Sequence, residues 1–207
     1  PVVPYEVDEV TRIIQDDLNE SIYQEIKRMT VSEFREWLLD EETTGPQIRR
    51  ISRGLTSEMV AAVTKIISNM DLVYGARKIR VTAHCNTTIG EEGTLSARLQ
   101  PNHPTDDPDG IRASLLEGLT YGIGDAVLGL NPVDDSAESV VRILQRFEET
   151  KQKFQIPTQT CVLAHVTTQM EAIRKGAPTD LIFQSIAGSE LGNTAFGFNA
   201  ATLEEAR

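Results

Sequence analysis

The chain has 207 residues, 40% hydrophobic and 25% charged, which is enough for one sizeable core or a core plus an appendage. A formal net charge of −11, with no Lys/Arg cluster along the chain, argues against a nucleic-acid partner. Two cysteines (Cys85 and Cys161), no apolar run of bilayer length and no signal-peptide pattern in PVVPYEVDEV predict a soluble cytoplasmic protein with no membrane partner.

From residue 8 to residue 70 the pattern is helical throughout. Thr30 with Glu33 has capping-box spacing before VSEFREWLLD. Thr56 or Ser57 starts a second helix, with Val60, Val63, Ile67 and Met70 expected on one face. The acidic spacing of DEVTRIIQDDLNE reads as a solvated helix face.

Near residue 78 the pattern changes. KIRVTA and TLSARLQ are strand-like, and GIRASLLEGLTYG is helical. AVLGLN (strand), SAESVVRILQRFEETKQKF (helix), TCVLAH (strand), TQMEAIRKG (helix), DLIFQS (strand) and a helix over 194–207 follow. Asp135 with Glu138 and Thr168 with Glu171 have capping-box spacing, and Val140, Ile143, Leu144 and Phe147 form an apolar stripe. AVLGL and CVLA are apolar throughout, as parallel strands buried on both faces are. Repeated βα units therefore predict a parallel α/β sheet, open or closed into a barrel. The chain has no initiator Met, and NAATLEEAR carries no helix stop signal, so a fragment or processed chain is expected.

Each predicted strand ends in a polar residue: Gln100, Asn131, His165, then Gln184 and Ser185. Ligands bind at the carboxyl ends of parallel strands, where loops and helix N-termini converge, so these residues suggest one polar pocket. On the strand at 94–100, Thr94, Ser96, Arg98 and Gln100 share one face and Leu95, Ala97 and Leu99 the other. The polar face belongs either to an exposed edge strand or to a wet barrel lumen, and the alternation does not separate the two. In the lumen, Arg98 and Gln100 lie about 7 Å apart along the strand, close enough to grip a molecule a few atoms long.

Other motifs fall away. GIGDAV precedes a strand, whereas a dinucleotide-binding loop follows one. TDDPDG lacks the glutamate of a calcium loop and reads as a turn into a helix. Cys161 and His165 sit about 13 Å apart on an extended strand, so no metal site is expected there. FQSIAG lacks the glycines of a nucleophile elbow, and His165 alone reads more readily as a satisfied strand-end histidine than as a general base.

The segments GLTSEMVAAVTKIISNMDLVYGARK, NTTIGEEGTLSARLQPN, GDAVLGLNPV, IPTQTCVLAHVTTQMEAIRKGAP and LIFQSIAGSE closely resemble the large subunit of ethanolamine ammonia-lyase. The likeness runs along essentially the whole chain. It implies a (β/α)8 TIM barrel, of which 76–207 is roughly the first half, preceded by a helical N-terminal region over 1–75. It also implies an adenosylcobalamin enzyme: cobalt–carbon homolysis yields a 5′-deoxyadenosyl radical that abstracts hydrogen from ethanolamine, and acetaldehyde and ammonia follow.

Carried over by motif, Arg98 meets the substrate hydroxyl oxygen, Gln100 bonds at the hydroxyl and amino ends, and Asn131 bonds the amino group. Pro132 and Gln184 match positions lining the cobalamin, with Ser185 a weaker candidate beside them. No D-x-H-x-x-G motif occurs, in keeping with a family that binds the cofactor with its own base on. The resemblance further implies a small-subunit partner, a homo-oligomer of large subunits and a bacterial microcompartment.

One requirement is unmet. The ammonium of ethanolamine needs a carboxylate, and no strand end here supplies one, since Asp125 precedes its strand. In the family these carboxylates come from later strands, so the chain alone is expected to be inactive and to associate through its open edges. Two other readings stand beside this one. A cobalamin-independent barrel lyase would act without cofactor. A non-catalytic compartment relative would have no reason to keep Arg98, Gln100 and Asn131.

Overall fold

A computed structural model of the chain describes residues 5–207. Residues 1–4, the start of the expected 1–75 region, lie outside the described residues. The chain divides into two compact units, one formed by residues up to Val81 with Gly188–Glu190, the other by Thr82–Ala187 with Leu191–Arg207.

The first unit is helical: α1 (Glu9–Asp16), α2 (Glu20–Ile26), α3 (Val31–Leu39), α4 (Gly45–Ser52), α5 (Ser57–Thr64) and α6 (Asn69–Arg77). Its helices are short because the sequence keeps supplying N-caps. Asp8, Asn19, Thr30, Thr56 and Ser68 each accept an N–H from the first turn of the next helix. The predicted box at Thr30 is present, with the Glu33 carboxylate returning to the Thr30 N–H at 2.7 Å. The continuous stripe expected from Val60 to Met70 is not. Helix α5 ends at Thr64, Ser68 opens a new helix, and of those four residues only Val63 is buried.

The second unit carries an antiparallel hairpin, β1 (Ala83–His84) with β2 (Thr88–Ile89), and a parallel sheet in the order β3–β4–β5. Its strands are β3 (Arg98–Leu99), β4 (Val127–Leu130) and β5 (Thr160–Val162), separated by α7 (Pro108–Thr120) and α8 (Ala137–Phe154). After them come α9 (Val166–Arg174), α10 (Glu190–Ala195) and α11 (Ala200–Ala206). The expected mixed α/β class holds, with parallel strands joined by helices.

Leu99, Leu128, Leu130 and Val162 point to α7 and α8, where they meet Ile111, Leu115 and the predicted stripe of Val140, Ile143, Leu144 and Phe147. Gly118 lets α7 close on β3, because a Cβ there would fall 2.3 Å from Leu99 Cδ1. The turn of the hairpin is tied to the N-terminal ends of the strands. Gln159, before β5, accepts the N–H groups of Asn86 and Thr87 at 3.1 Å each, and the Thr87 hydroxyl donates to Asp125 O.

Several sequence expectations are corrected. KIRVTA contributes only Ala83 to a strand, and that strand belongs to the hairpin. TLSARLQ is a strand at Arg98–Leu99 alone, and Leu95, expected on the apolar face, is fully exposed. DLIFQS is not a strand, although Leu181 N–H donates to Thr160 O of β5 at 3.1 Å. A side chain stands in for the missing ladder. The Gln169 carboxamide accepts the Phe183 N–H at 3.2 Å and donates to Phe183 O at 2.6 Å.

Candidate active site at the carboxyl ends of the strands

Strand register decides which side chains meet. Arg98 pairs with Val127 and Gly129 with Cys161, so these four share the face opposite the helices. The Arg98 guanidinium lies within 5.6 Å of the Phe183 ring centroid, and a Cβ on Gly129 would stand only 2.7–2.9 Å from its Nη2, Cζ and Nε. Burial pushes the Cys161 thiol pKa up, and the positive charge of Arg98 pulls it partly back.

β3 is an edge strand of the three-stranded sheet, but Arg98 makes no surface ion pair among the described residues. Its Nε and Nη2 are buried with no hydrogen-bond partner among the described residues, and so is Oδ1 of Asn131 just beyond β4. A buried donor set and a buried acceptor left unspent are costly, about 1–3 kcal/mol for each group without a partner. Donors at Arg98 and an acceptor at Asn131 form a matched demand for a ligand that accepts at one end and donates at the other.

The loops around these residues are tied in sequence. Asn102 Oδ1 accepts the Asn131 N–H at 3.0 Å. Asp106 is buried and accepts from Val133 N–H and Asp134 N–H, each at 2.8 Å through Oδ2. Asp135 Oδ1 accepts the His165 N–H at 3.2 Å, and Gln184 Oε1 accepts the Val166 N–H at 2.8 Å. Asn102, Asp106 and Asp135 thus each fix the backbone of the loop that follows, Gln184 reaches back to Val166, and Asn131 and Pro132 lie on a strap held on both sides. The TDDPDG turn does lead into a helix, with Asp107 capping α7.

The two capping boxes expected nearby do not form. Ser136 caps α8 and His165 caps α9, while the Asp135 carboxylate is drawn to the His165 backbone. His165 donates from Nε2 to Phe196 O at 2.7 Å, which leaves Nδ1 as an acceptor, 2.7 Å from Thr167 Oγ1. Both ring nitrogens are committed, so His165 is the satisfied histidine and not a free base.

Of the other predicted residues, Gln100 is exposed at the end of β3, Pro132 is half-buried beside Asn131, and Gln184 is half-buried with its amide donating to Ser185 O at 3.0 Å. Asp125 serves the opposite rim, where it accepts the Ala97 N–H at 2.8 Å; that bond holds its carboxyl below the usual range. Sequence reasoning missed Asn102, Asp106 and Asp135 as loop ties. Their only trace is a density of Asn and Asp after each strand, which any loop also shows.

Sheet and strap together define a parallel α/β protein with a polar site at the carboxyl ends of its strands. The family model for "Ethanolamine ammonia lyase large subunit (EutB)" matches residues 1–207. The chain is 57% identical over 207 residues to the ethanolamine ammonia-lyase large subunit of Escherichia coli K12, covering 100% of this chain and 46% of that protein. It is 56% identical, with the same coverage, to the large subunit of Salmonella typhimurium LT2. The chain belongs to the ethanolamine ammonia-lyase large-subunit family and spans about half the length of these relatives.

Proposed function

We propose that this chain forms the substrate-orienting part of an ethanolamine ammonia-lyase, a carbon–nitrogen lyase that releases ammonia and acetaldehyde from ethanolamine. The observation that carries the reading is the pairing of unspent groups: Arg98 Nε and Nη2 as donors, Asn131 Oδ1 as acceptor. Ethanolamine answers both, with a hydroxyl oxygen to accept and an ammonium to donate. Arg98 holds the hydroxyl end and opposes negative charge that develops on its oxygen. Asn131 takes one ammonium N–H, and Gln100 adds a second amide at the strand end. No carboxylate stands among the strand-end residues Gln100, Asn131, His165, Gln184 and Ser185, so on this reading the ammonium needs a carboxylate that these residues do not supply.

The same reading makes 76–207 roughly the first half of a (β/α)8 barrel and 1–75 a helical preface, with a small subunit and further large subunits as partners. A cytoplasmic setting within a bacterial microcompartment belongs to this reading too. The cofactor is adenosylcobalamin, which supplies a carbon-centred radical when bound. The residues at the site fit such a group. His165 has no nitrogen free for a metal, as suits a corrinoid that keeps its own base, and Gln184 retains one amide hydrogen after its bond to Ser185 O. Pro132 and Gln184 would hold it, while this chain's task is to orient substrate and exclude competing reactions.

The test uses the full-length large subunit with its small subunit. Arg98→Ala should lower turnover on the order of 10²-fold or more while cobalamin affinity stays within a few-fold. Asn131→Leu should raise the KM for ethanolamine. Wild-type turnover in Arg98→Ala would overturn the assignment.

A further inference from the structure

We infer that Gly129 and Phe183 are positioning residues for Arg98, holding its guanidinium by shape while leaving its N–H groups for the substrate oxygen; the inference rests on the substrate role proposed for Arg98. A planar, five-donor group in a buried place ordinarily meets a carboxylate or carbonyl that fixes its plane. The Nε and Nη2 of Arg98 are buried and have no hydrogen-bond partner among the described residues. Something other than hydrogen bonding must set its orientation.

The geometry points to two neighbours. A Cβ built on Gly129 would lie 2.7 Å from Nη2, 2.8 Å from Cζ and 2.9 Å from Nε. Three nearly equal distances to a planar group place that point over its face, not at its edge. The guanidinium therefore lies flat across the β4 backbone in the space a side chain at 129 would fill. Phe183 contributes its ring at 5.6 Å from Cζ, within cation–π range. Neither neighbour brings a side-chain acceptor, so both confine the group and neither consumes a donor. Next in register beyond Gly129 is Cys161, a small, weakly accepting thiol that is 3% exposed.

Gly129 needs no left-handed backbone, because its φ is not among the positive ones. Alanine is thus compatible with the strand, and the atom it displaces is the far end of a flexible side chain. Gly129→Ala should fold and should move the guanidinium. The consequence falls on one end of the ligand only.

The experiment compares ethanolamine with n-propylamine, an amine of similar length without the hydroxyl. It uses the full-length enzyme with its small subunit, loaded with hydroxocobalamin so that nothing turns over, and isothermal titration reads binding. Gly129→Ala should weaken ethanolamine about tenfold or more, the size of a mis-set charged hydrogen bond, and leave n-propylamine within about twofold. Phe183→Leu should give the same selective loss at several-fold size, with Phe183→Tyr restoring it. Equal weakening of both amines, or no weakening of ethanolamine, would overturn the inference. Should Gly129→Ala fail to assemble, the two Phe183 variants decide by the same criterion. Wild-type ethanolamine binding by Arg98→Ala would instead remove the role on which the inference rests.

Discussion

Asp106 offers the sharpest perturbation of the strap that carries Asn131 and Pro132. Its carboxylate accepts the Val133 N–H through both oxygens, at 3.0 and 2.8 Å, and the Asp134 N–H at 2.8 Å. It is only 6% exposed, and its backbone sits at φ 52, a conformation Asn and Asp tolerate better than Ala. Hydrogen bonds to a charged acceptor contribute about 1.5–3 kcal/mol each. Val133 and Asp134 are exposed, so their amides regain water when the carboxylate goes, and this limits the local loss in Asp106→Ala to about 2–3 kcal/mol. Because 1.4 kcal/mol is tenfold, the amides of Val133 and Asp134 should exchange with deuterium about 30- to 150-fold faster. Asp106→Asn keeps the backbone preference and one acceptor and loses the charge, so about fivefold is expected. Exchange resolved by residue in the full-length subunit reads both, and KM for ethanolamine should rise in the same order. Identical protection at 133 and 134 in wild type and Asp106→Ala would refute the strap.

Three further outcomes follow from neighbouring contacts. Gln169 is 1% exposed and its carboxamide also donates to Ala164 O at 2.7 Å, so Gln169→Leu strands buried backbone groups and should cost about 2–4 kcal/mol in chemical denaturation. Lys151 donates to Asp180 at 2.7 Å, with the two side chains 10% and 24% exposed. Burial opposes both charges, yet their mutual bond holds the Asp180 pKa below and the Lys151 pKa above the ordinary values. The pair's contribution should therefore be full between about pH 5 and pH 9. It falls away in acid as Asp180 protonates through its lowered pKa, and in strong base as Lys151 deprotonates through its raised one. Lys151→Met should flatten that acid limb in denaturation midpoints measured against pH. Cys161, buried and with its thiol pKa raised, should resist iodoacetamide at neutral pH until the protein unfolds, whereas the half-buried Cys85 should react first.

The parts of the fold that local pattern controls were legible in the residues. Leu128 and Leu130 of AVLGL are fully buried, the Val140–Phe147 stripe faces the sheet, and Thr30 closes its box with Glu33. What tertiary competition decides was not. Asp135 has the spacing of a cap, but the His165 N–H thirty residues away claims it and Ser136 caps instead. DLIFQS has a strand's composition, but the Phe183 backbone is satisfied by the Gln169 side chain and not by a strand ladder. The alternation in TLSARLQ left Arg98 equally at home on an edge or in a lumen. The structure adds what the alternation lacked: β3 stands at the edge of the described sheet, yet Arg98 turns its buried Nε and Nη2 over Gly129, where they meet no hydrogen-bond partner among the described residues. Gly129 itself reads as a weak strand residue until its neighbour's guanidinium is seen lying over it.

The most direct measurement is a structure of the full-length large subunit, with its small subunit and cobalamin, holding ethanolamine. The account predicts the hydroxyl oxygen about 2.7–3.2 Å from Arg98 Nε or Nη2 and the ammonium at the same range from Asn131 Oδ1. A substrate seated elsewhere, or an Arg98 whose nitrogens are spent on a protein carboxylate, would contradict it.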